Sequence, residues 1–353
     1  MFIQVIYMPP IFIDENVAVS PMLYKNKLFE LASEFKAVVV LVEENELKYD
    51  IEIWNEFNVD VLWVPTRDYT APQLLQLYHV VKWINENANR GKKTLIHCMG
   101  GKGRSGTIAT AYLMYTKHIG FDDAFKQVRG VRRGAVETWE QRKRLETFEI
   151  LLNVLPEPKL TIIDKIAQKY SYGRGISHAS KVTELSLTMW NQLRGVEKLQ
   201  LCGSILAAAA ILHDIGVFIS EYDHHKHTLK LIKENNILYE IFNENKNVAI
   251  AWTAYYHRIG AGDPSENKNL ERIKNIVTWS AAILRVADAL DHGLNQIVET
   301  LDISIQPDEL VIELYCNNNC RYEITRGIKK SNLLKNLMKR KITFKEVQLH
   351  RFF

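Results

Sequence analysis

An α/β domain with a central, mostly parallel sheet flanked by helices, followed by an all-α domain with a small mixed α/β tail, is the fold class the sequence predicts. Three observations predict it. Over the first 155 residues apolar runs alternate with amphipathic ones, the rhythm of a parallel sheet with crossover helices. From residue 159 to about 300 almost every segment has helical periodicity. The chain of 353 residues also exceeds what one hydrophobic core usually covers.

The elements follow in order. "MFIQVIYMPPIFIDEN" lacks a cationic leader and is broken by Pro9 and Pro10, so no signal peptide is expected. "AVVVLV" (37–42) and "VDVLWVP" (59–65) read as buried strands, with a helix-like "KYDIEIWNEFN" between them. "APQLLQLYHVVKWINENANR" reads as a helix beginning near Ala71, with Thr70 as its cap, a proline in its first turn and its close before Gly91. "KTLIHC" is the next strand and a helix starts near Gly106. "DDAFKQVRGV" and "ETWEQRKRLETFEILLNVL" are helices, and "PEPK" (156–159) is a linker. In the tail, "LDISIQ", "ELVIELYC" and "CRYEIT" read as strands, followed by a lysine-rich helix and a last strand, "ITFKEVQL". The expected domains are 1–155, a helical domain at 159–300, and a tail at 301–353 belonging to the second domain.

Composition narrows the function. A formal charge of +4 is too mild for a dedicated nucleic-acid binder, and small anionic substrates suit it. Four scattered cysteines do not make a secreted disulfide framework, which with the missing leader points to a cytoplasmic protein. Cys316 and Cys320 flank "NNN" and suggest a metal clip, but with no further partner they are expected to sit as idle thiols across a hairpin turn. "LCGSILAAAAIL" is too short to span a membrane and runs into His213 and Asp214. A homo-oligomer is compatible with the sequence.

The turn within "TLIHCMGGKGRSGTIATAYLMY" carries the chemistry. Glycines 100, 101, 103 and 106 let successive N–H groups point into one concavity at a helix amino end, a nest for an anion. The same field favours a thiolate at Cys98. Arg104, six residues on, has a planar fork that suits two phosphate oxygens. The turn is built to hold a phosphate against a nucleophilic sulfur.

With His97, Cys98, Arg104 and Ser105 matching H-C-x5-R-[ST], residues 1–155 resemble the cysteine-dependent tyrosine and dual-specificity phosphatases. The compact archaeal type is nearest, because "VPTRDYTAP" and "VRRGAVETWEQ" also sit where such enzymes carry matching segments. The resemblance implies that Cys98 forms a phosphocysteine, that Arg104 and the amides of Met99, Gly100, Gly101, Lys102 and Gly103 hold the phosphate, that Ser105 eases thiolate departure, and that His97 orients the loop. No cofactor is implied there. The reaction also needs an acid, and Asp68, on a proline-flanked loop thirty residues before the cysteine, is the candidate. Gln141 either positions the hydrolytic water, by the same resemblance, or is a solvated helix glutamine. Lys102 occupies a place where lysine recurs in tensin-like lipid phosphatases, although the neighbouring position, often lysine there, is Met99. With Arg132 and Arg133 it either forms a cationic rim for polyphosphorylated small molecules or is merely solvated.

In the helical half, ending an alanine-rich buried helix with His213 and Asp214 is expensive unless something pairs with both, as a divalent cation would. Taken with His178, "HHKH", His257 and Asp288, the order resembles the HD superfamily of metal-dependent phosphohydrolases, and within it the carboxy-terminal domain of the exopolyphosphatase and guanosine pentaphosphate phosphatase family. That implies His178, His213, Asp214 and Asp288 as ligands to Mn, Mg, Fe or Zn, with His257 and one of His224 or His225 as second-metal ligands or phosphate contacts. The lysine that often follows "HDIG" in active members is Val217. The expected function is hydrolysis of phosphate monoesters, on a phosphorylated protein or small molecule, by the first domain. The helical half is alternatively the main metal-dependent phosphohydrolase of nucleotides or polyphosphate, or a ligand-binding or oligomerisation module.

Overall fold

The computed structural model describes residues 8–196, 199 and 203–349. The first seven residues, Leu201 and Cys202 of the apolar run, and the last four residues of the tail lie outside the described residues. The chain divides into two compact units, Met1–Glu149 and Ile150–Phe353.

The first unit is built on a five-stranded sheet. Its strands are β1 (Ile11–Phe12), β2 (Val17–Ser20), β3 (Ala37–Val40), β4 (Asp60–Trp63) and β5 (Thr94–His97), in the order β1-β2-β5-β3-β4. Every pairing is parallel except β1 with β2. Val38, Val39, Leu95 and Ile96 are fully buried, as expected of parallel strands covered on both faces, which therefore read as continuous apolar runs. β5 lies between β2 and β3 with His97 in register with Ser20 and Val40. The chain thus leaves the sheet at Cys98 on the carboxyl edge of three parallel strands, where open α/β sheets bind ligands.

The helices here are α1 (Lys25–Glu34), α2 (Ile53–Glu56), α3 (Leu74–Asn89), α4 (Gly103–Lys117), α5 (Phe121–Val131) and α6 (Trp139–Val154), the last running into the second unit. The helix expected over "KYDIEIWNEFN" shrinks to α2, because its first residues are turn and Tyr49 is buried instead. α3 starts at Leu74 rather than Ala71: Gln73 caps it reciprocally with Gln76, while the Thr70 hydroxyl donates to the Arg67 carbonyl at 2.7 Å. α4 starts at Gly103, three residues before its expected beginning.

The second unit is helical over α7 (Lys159–Lys169), α8 (Ile176–Leu193), α9 (Gly203–Leu212), α10 (His224–Lys233), α11 (Asn236–Ile241), α12 (Glu244–Tyr255) and α13 (Lys274–Ala289). Ala207 to Ala210 of α9 are wholly buried; their small side chains allow α8 and α12 to approach closely. A three-stranded sheet follows, β6 (Val298–Ile305), β7 (Glu309–Cys316) and β8 (Lys341–Gln348), with β6–β7 antiparallel and β7–β8 parallel. The parallel pair needs a crossover, supplied by α14 (Arg321–Lys330) and α15 (Asn332–Met338).

Two sequence expectations are corrected in this tail. "CRYEIT" is not a strand but the start of α14, whose buried Glu323, Gly327 and Lys330 recur at helical spacing. Cys316 and Cys320 are not idle thiols: they form a disulfide, Cα atoms 6.3 Å apart, joining the end of β7 to the cap of α14. No helix among the described residues is long and apolar enough to cross a membrane.

Candidate active site and candidate metal centre

Cys98 is buried at the end of β5 and its Sγ accepts a hydrogen bond from the Gly101 amide at 3.2 Å. Gly101 sits at φ +64°, and a β-carbon there would lie 2.5 Å from the Pro21 nitrogen and 2.7 Å from the Ser20 carbonyl oxygen, so only glycine fits. Arg104, 1% exposed, is held by residues that sequence reasoning missed. Its two terminal nitrogens donate to the two Glu46 carboxylate oxygens at 2.7 and 2.8 Å, and one also donates to the Thr66 carbonyl at 2.8 Å. Burial opposes the Arg104 charge, but the Glu46 hydrogen bond and neighbouring negative charges outweigh it and raise its pKa. That same bond holds the Glu46 carboxyl below the usual carboxylate range against the effect of burial. Arg104 Nε and the Ser105 hydroxyl are buried without a hydrogen-bond partner. His97 meets the Tyr49 hydroxyl at 2.6 Å, and burial pushes its pKa down to about 3, so the ring is neutral.

Asp68 lies over this arginine, 3.0 Å from it, with its side chain about half exposed. Its loop is pinned by α6: the Gln141 amide nitrogen donates to the Thr70 carbonyl at 3.0 Å and the Thr138 hydroxyl to the Tyr69 carbonyl at 2.9 Å. Gln141 is fully buried, so the solvated alternative for it is excluded. Arg132 is likewise not part of an open cationic rim; it is buried and donates to the carbonyls of Gly101 and Gly100 at 2.9 and 2.7 Å, fastening the loop from behind. Lys102, Gly100 and Met99 remain exposed, and Gly103 packs against Glu137 and Gln141.

In the second unit, His178 of α8, His213 at the end of α9, Asp214, His224 of α10 and His257 after α12 converge. One Asp214 oxygen lies 3.6 Å from His178 Nε2 and 3.5 Å from His213 Nε2, and the other 3.2 Å from His224 Nε2 and 3.4 Å from His257 Nε2. Asp288 of α13 is 3.6 Å from His178 Nε2. Two overlapping groups, His178–His213–Asp214 and Asp214–His224–His257, have the spacing to hold a metal ion. His225 packs instead against the Tyr255 ring, centroids 4.9 Å apart and tilted by 43°. Gly173, at φ +73°, lets its turn press against the Asp214 backbone, where a β-carbon would meet the carbonyl oxygen at 1.9 Å.

The donors fit a cation. The Nδ1 atoms of His213, His224 and His257 face the carbonyls of Ala210, Glu221 and Ala254, and that of His178 faces Asp291 at 2.8 Å. Those acceptors suit a proton on Nδ1 and turn Nε2 of each ring toward the cluster; burial opposes a charge on His178, but Asp288 and Asp291 outweigh it and raise its pKa to about 10. The Nε2 atoms then meet in pairs, His178 with His213 at 3.2 Å and His224 with His257 at 3.1 Å, and each pair is satisfied by a shared proton or by a cation. Asp214, 2% exposed, also keeps one oxygen with no hydrogen bond. Burial lowers the pKa values of His213 and His257, so both rings are neutral.

This cluster floors a cavity of about 340 Å³ whose walls are cationic: Arg174, Arg258, Arg326, Lys329 and Lys330. None was singled out in the sequence. Lys330 pairs with Asp288, and Arg174 with Asp214 at 3.0 Å.

A loop bearing a buried cysteine between a parallel strand and a helix, closed on a buried arginine, defines the first unit as a cysteine-type phosphatase, a phosphoric monoester hydrolase fold. The chain belongs to the dual specificity phosphatase catalytic domain family over residues 24–150 and to the Ppx/GppA phosphatase domain III family over residues 160–336. It is 35% identical to phosphatidylglycerophosphate phosphatase PTPMT2 of Arabidopsis thaliana, over 34% of this chain and 53% of that protein. It is 31% identical to the 123R protein of Invertebrate iridescent virus 6, over 28% of this chain and 70% of that one. The crystal structure of Tk-PTP in its active form is 48% identical, with a TM-score of 0.39, over 40% of this chain and 95% of that chain. The chain spans about half the length of the first plant relative and 28% of a second, PTPMT1.

Proposed function

We propose that the first unit hydrolyses phosphate monoesters in two steps. The Cys98 sulfur attacks phosphorus while the bond to the leaving oxygen breaks and Asp68 gives that oxygen its proton. Water then attacks the phosphocysteine, Asp68 takes a proton from it, and inorganic phosphate leaves as the P–S bond breaks. Arg104 and the loop amides carry the charge of the transferring group. The single observation that carries this reading is the buried Arg104, fixed through both terminal nitrogens by Glu46 while its Nε keeps an unused donor beside the cysteine loop.

The exposed Met99 and Tyr69 beside Cys98 and Asp68, the exposed Lys102, and the names of the plant relatives together support a lipid- or polyol-borne phosphate over a phosphotyrosyl peptide. Equal efficiency on both substrate types, unchanged by Lys102→Ala, rejects that preference.

In the second unit, His178, His213, Asp214 and Asp288 would hold one divalent cation, and Asp214, His224 and His257 another. A bound cation there supplies Lewis acidity to phosphate oxygens and to water. The histidines are held for this by their Nδ1 partners, and the basic walls collect the anion. One assay separates the two units: phosphate release from an aryl phosphate and from a nucleotide, with and without chelator, for wild type, Cys98→Ser and Asp214→Ala. Chelator-resistant turnover of the aryl phosphate, lost in Cys98→Ser alone, is the expected result. Chelator-sensitive turnover lost with Asp214→Ala alone assigns the chemistry to the second unit instead.

A further inference from the structure

The basic residues around the second unit's cluster do not merely line it. Lys330, 7% exposed, places its ammonium on the Asp288 carboxylate, on the side of that residue's free oxygen, while the other oxygen faces His178. It comes from α14, an element of the tail rather than of the helical bundle, and α14 also presents Lys329 and Arg326 to the same cavity. Arg326 is tied to His292 at 2.9 Å, yet its Nε has no hydrogen-bond partner. The cavity therefore holds five basic side chains against two carboxylates, Asp214 and Asp288. A divalent cation among the histidines adds positive charge to that excess.

We propose that Lys330 is a resident counter-cation for Asp288 that a divalent cation displaces, and that the displaced lysine, with Lys329 and Arg326, then binds the phosphate of an anionic ligand. This rests on the reading of the second unit as a metal centre. An ammonium and a divalent ion compete for the same carboxylate, so metal loading costs the Lys330–Asp288 pair and leaves a buried cation in need of a new partner. A phosphate group is that partner, and the exposed Lys329 and half-buried Arg326 on the same helix supply the additional donors. Metal and phosphate are then coupled: each raises the affinity of the other, as linkage requires.

The test uses the full chain and two probes. Manganese binding is measured by titration calorimetry, and inorganic phosphate binding by equilibrium dialysis without and with saturating manganese, the manganese-dependent part being assigned to the second unit, for wild type, Lys330→Met, Lys329→Met and Asp214→Asn. Lys330→Met should bind manganese about tenfold more tightly, because its competitor is gone, and phosphate about tenfold more weakly. Lys329→Met, which touches no carboxylate of the cluster, should weaken phosphate binding with manganese affinity unchanged, and serves if Lys330→Met misfolds. Asp214→Asn should lose manganese. Absence of manganese binding in wild type overturns the metal-centre reading and this proposal with it. Manganese affinity equal in wild type and Lys330→Met, or phosphate binding indifferent to manganese, overturns the displacement alone.

Discussion

At the scale of single residues, the two sites differ in how visible they were. Cys98 and Arg104 stand in one turn of chain, so their partnership was legible. Glu46, which fixes Arg104, ends a short 3-10 helix, Glu44–Glu46, 58 residues earlier in an ordinary acidic stretch, and nothing in "EENELKYD" sets it apart. Replacing Glu46 by Gln should keep the fold yet lower kcat about tenfold or more, since the guanidinium would no longer be aimed; steady-state kinetics on an aryl phosphate check this. The same pair has a pH signature. Because Arg104 lowers the Glu46 pKa, its contribution is fully present above the ordinary value of 4.5 and is lost as pH falls through the lowered one. Acid unfolding of wild type should therefore be steeper below that value than that of Glu46→Gln, when both are followed by circular dichroism. Asp68→Asn should cut kcat about a hundredfold with little change in KM.

Among elements, the long apolar and amphipathic runs were readable because periodicity speaks clearly over ten or more residues. β1 and β2, two and four residues long, were not. β2 nonetheless decides the site, for its last residue backs the loop glycine. Gly101→Ala should cost about 2 to 3 kcal/mol, from the positive φ and the collision with the Ser20–Pro21 backbone, and should abolish turnover; thermal melting and activity report both. α14 was misread because tyrosine and isoleucine alternate with polar residues over four positions, and the helical spacing of Glu323, Gly327 and Lys330 hides charged residues rather than apolar ones. Its basic side chains belong to a cavity whose other walls lie about 30 to 155 residues away in sequence. No local pattern could assign them.

For the whole molecule, the order of His178, His213, Asp214, His224, His257 and Asp288 along the chain was informative because each sits at a helix end or turn of the bundle, and the fold gathers those positions. Manganese at a hundred times its dissociation constant should add about 2.7 kcal/mol to the second unit. Its melting temperature should rise by several degrees, with or without Cys98→Ser, while Asp214→Asn abolishes the rise; scanning calorimetry with and without metal measures it. The parallel seat of β8 on β7 carries a last consequence. Gly327 of α14 packs against Phe344 of β8, which leaves the helix a floor made from the far end of the chain. A premature stop or a proteolytic nick after Lys339 would take away that floor without removing His178, His213, Asp214, His224, His257 or Asp288; under the proposed reading, such a truncated protein should still take up manganese but lose its phosphate.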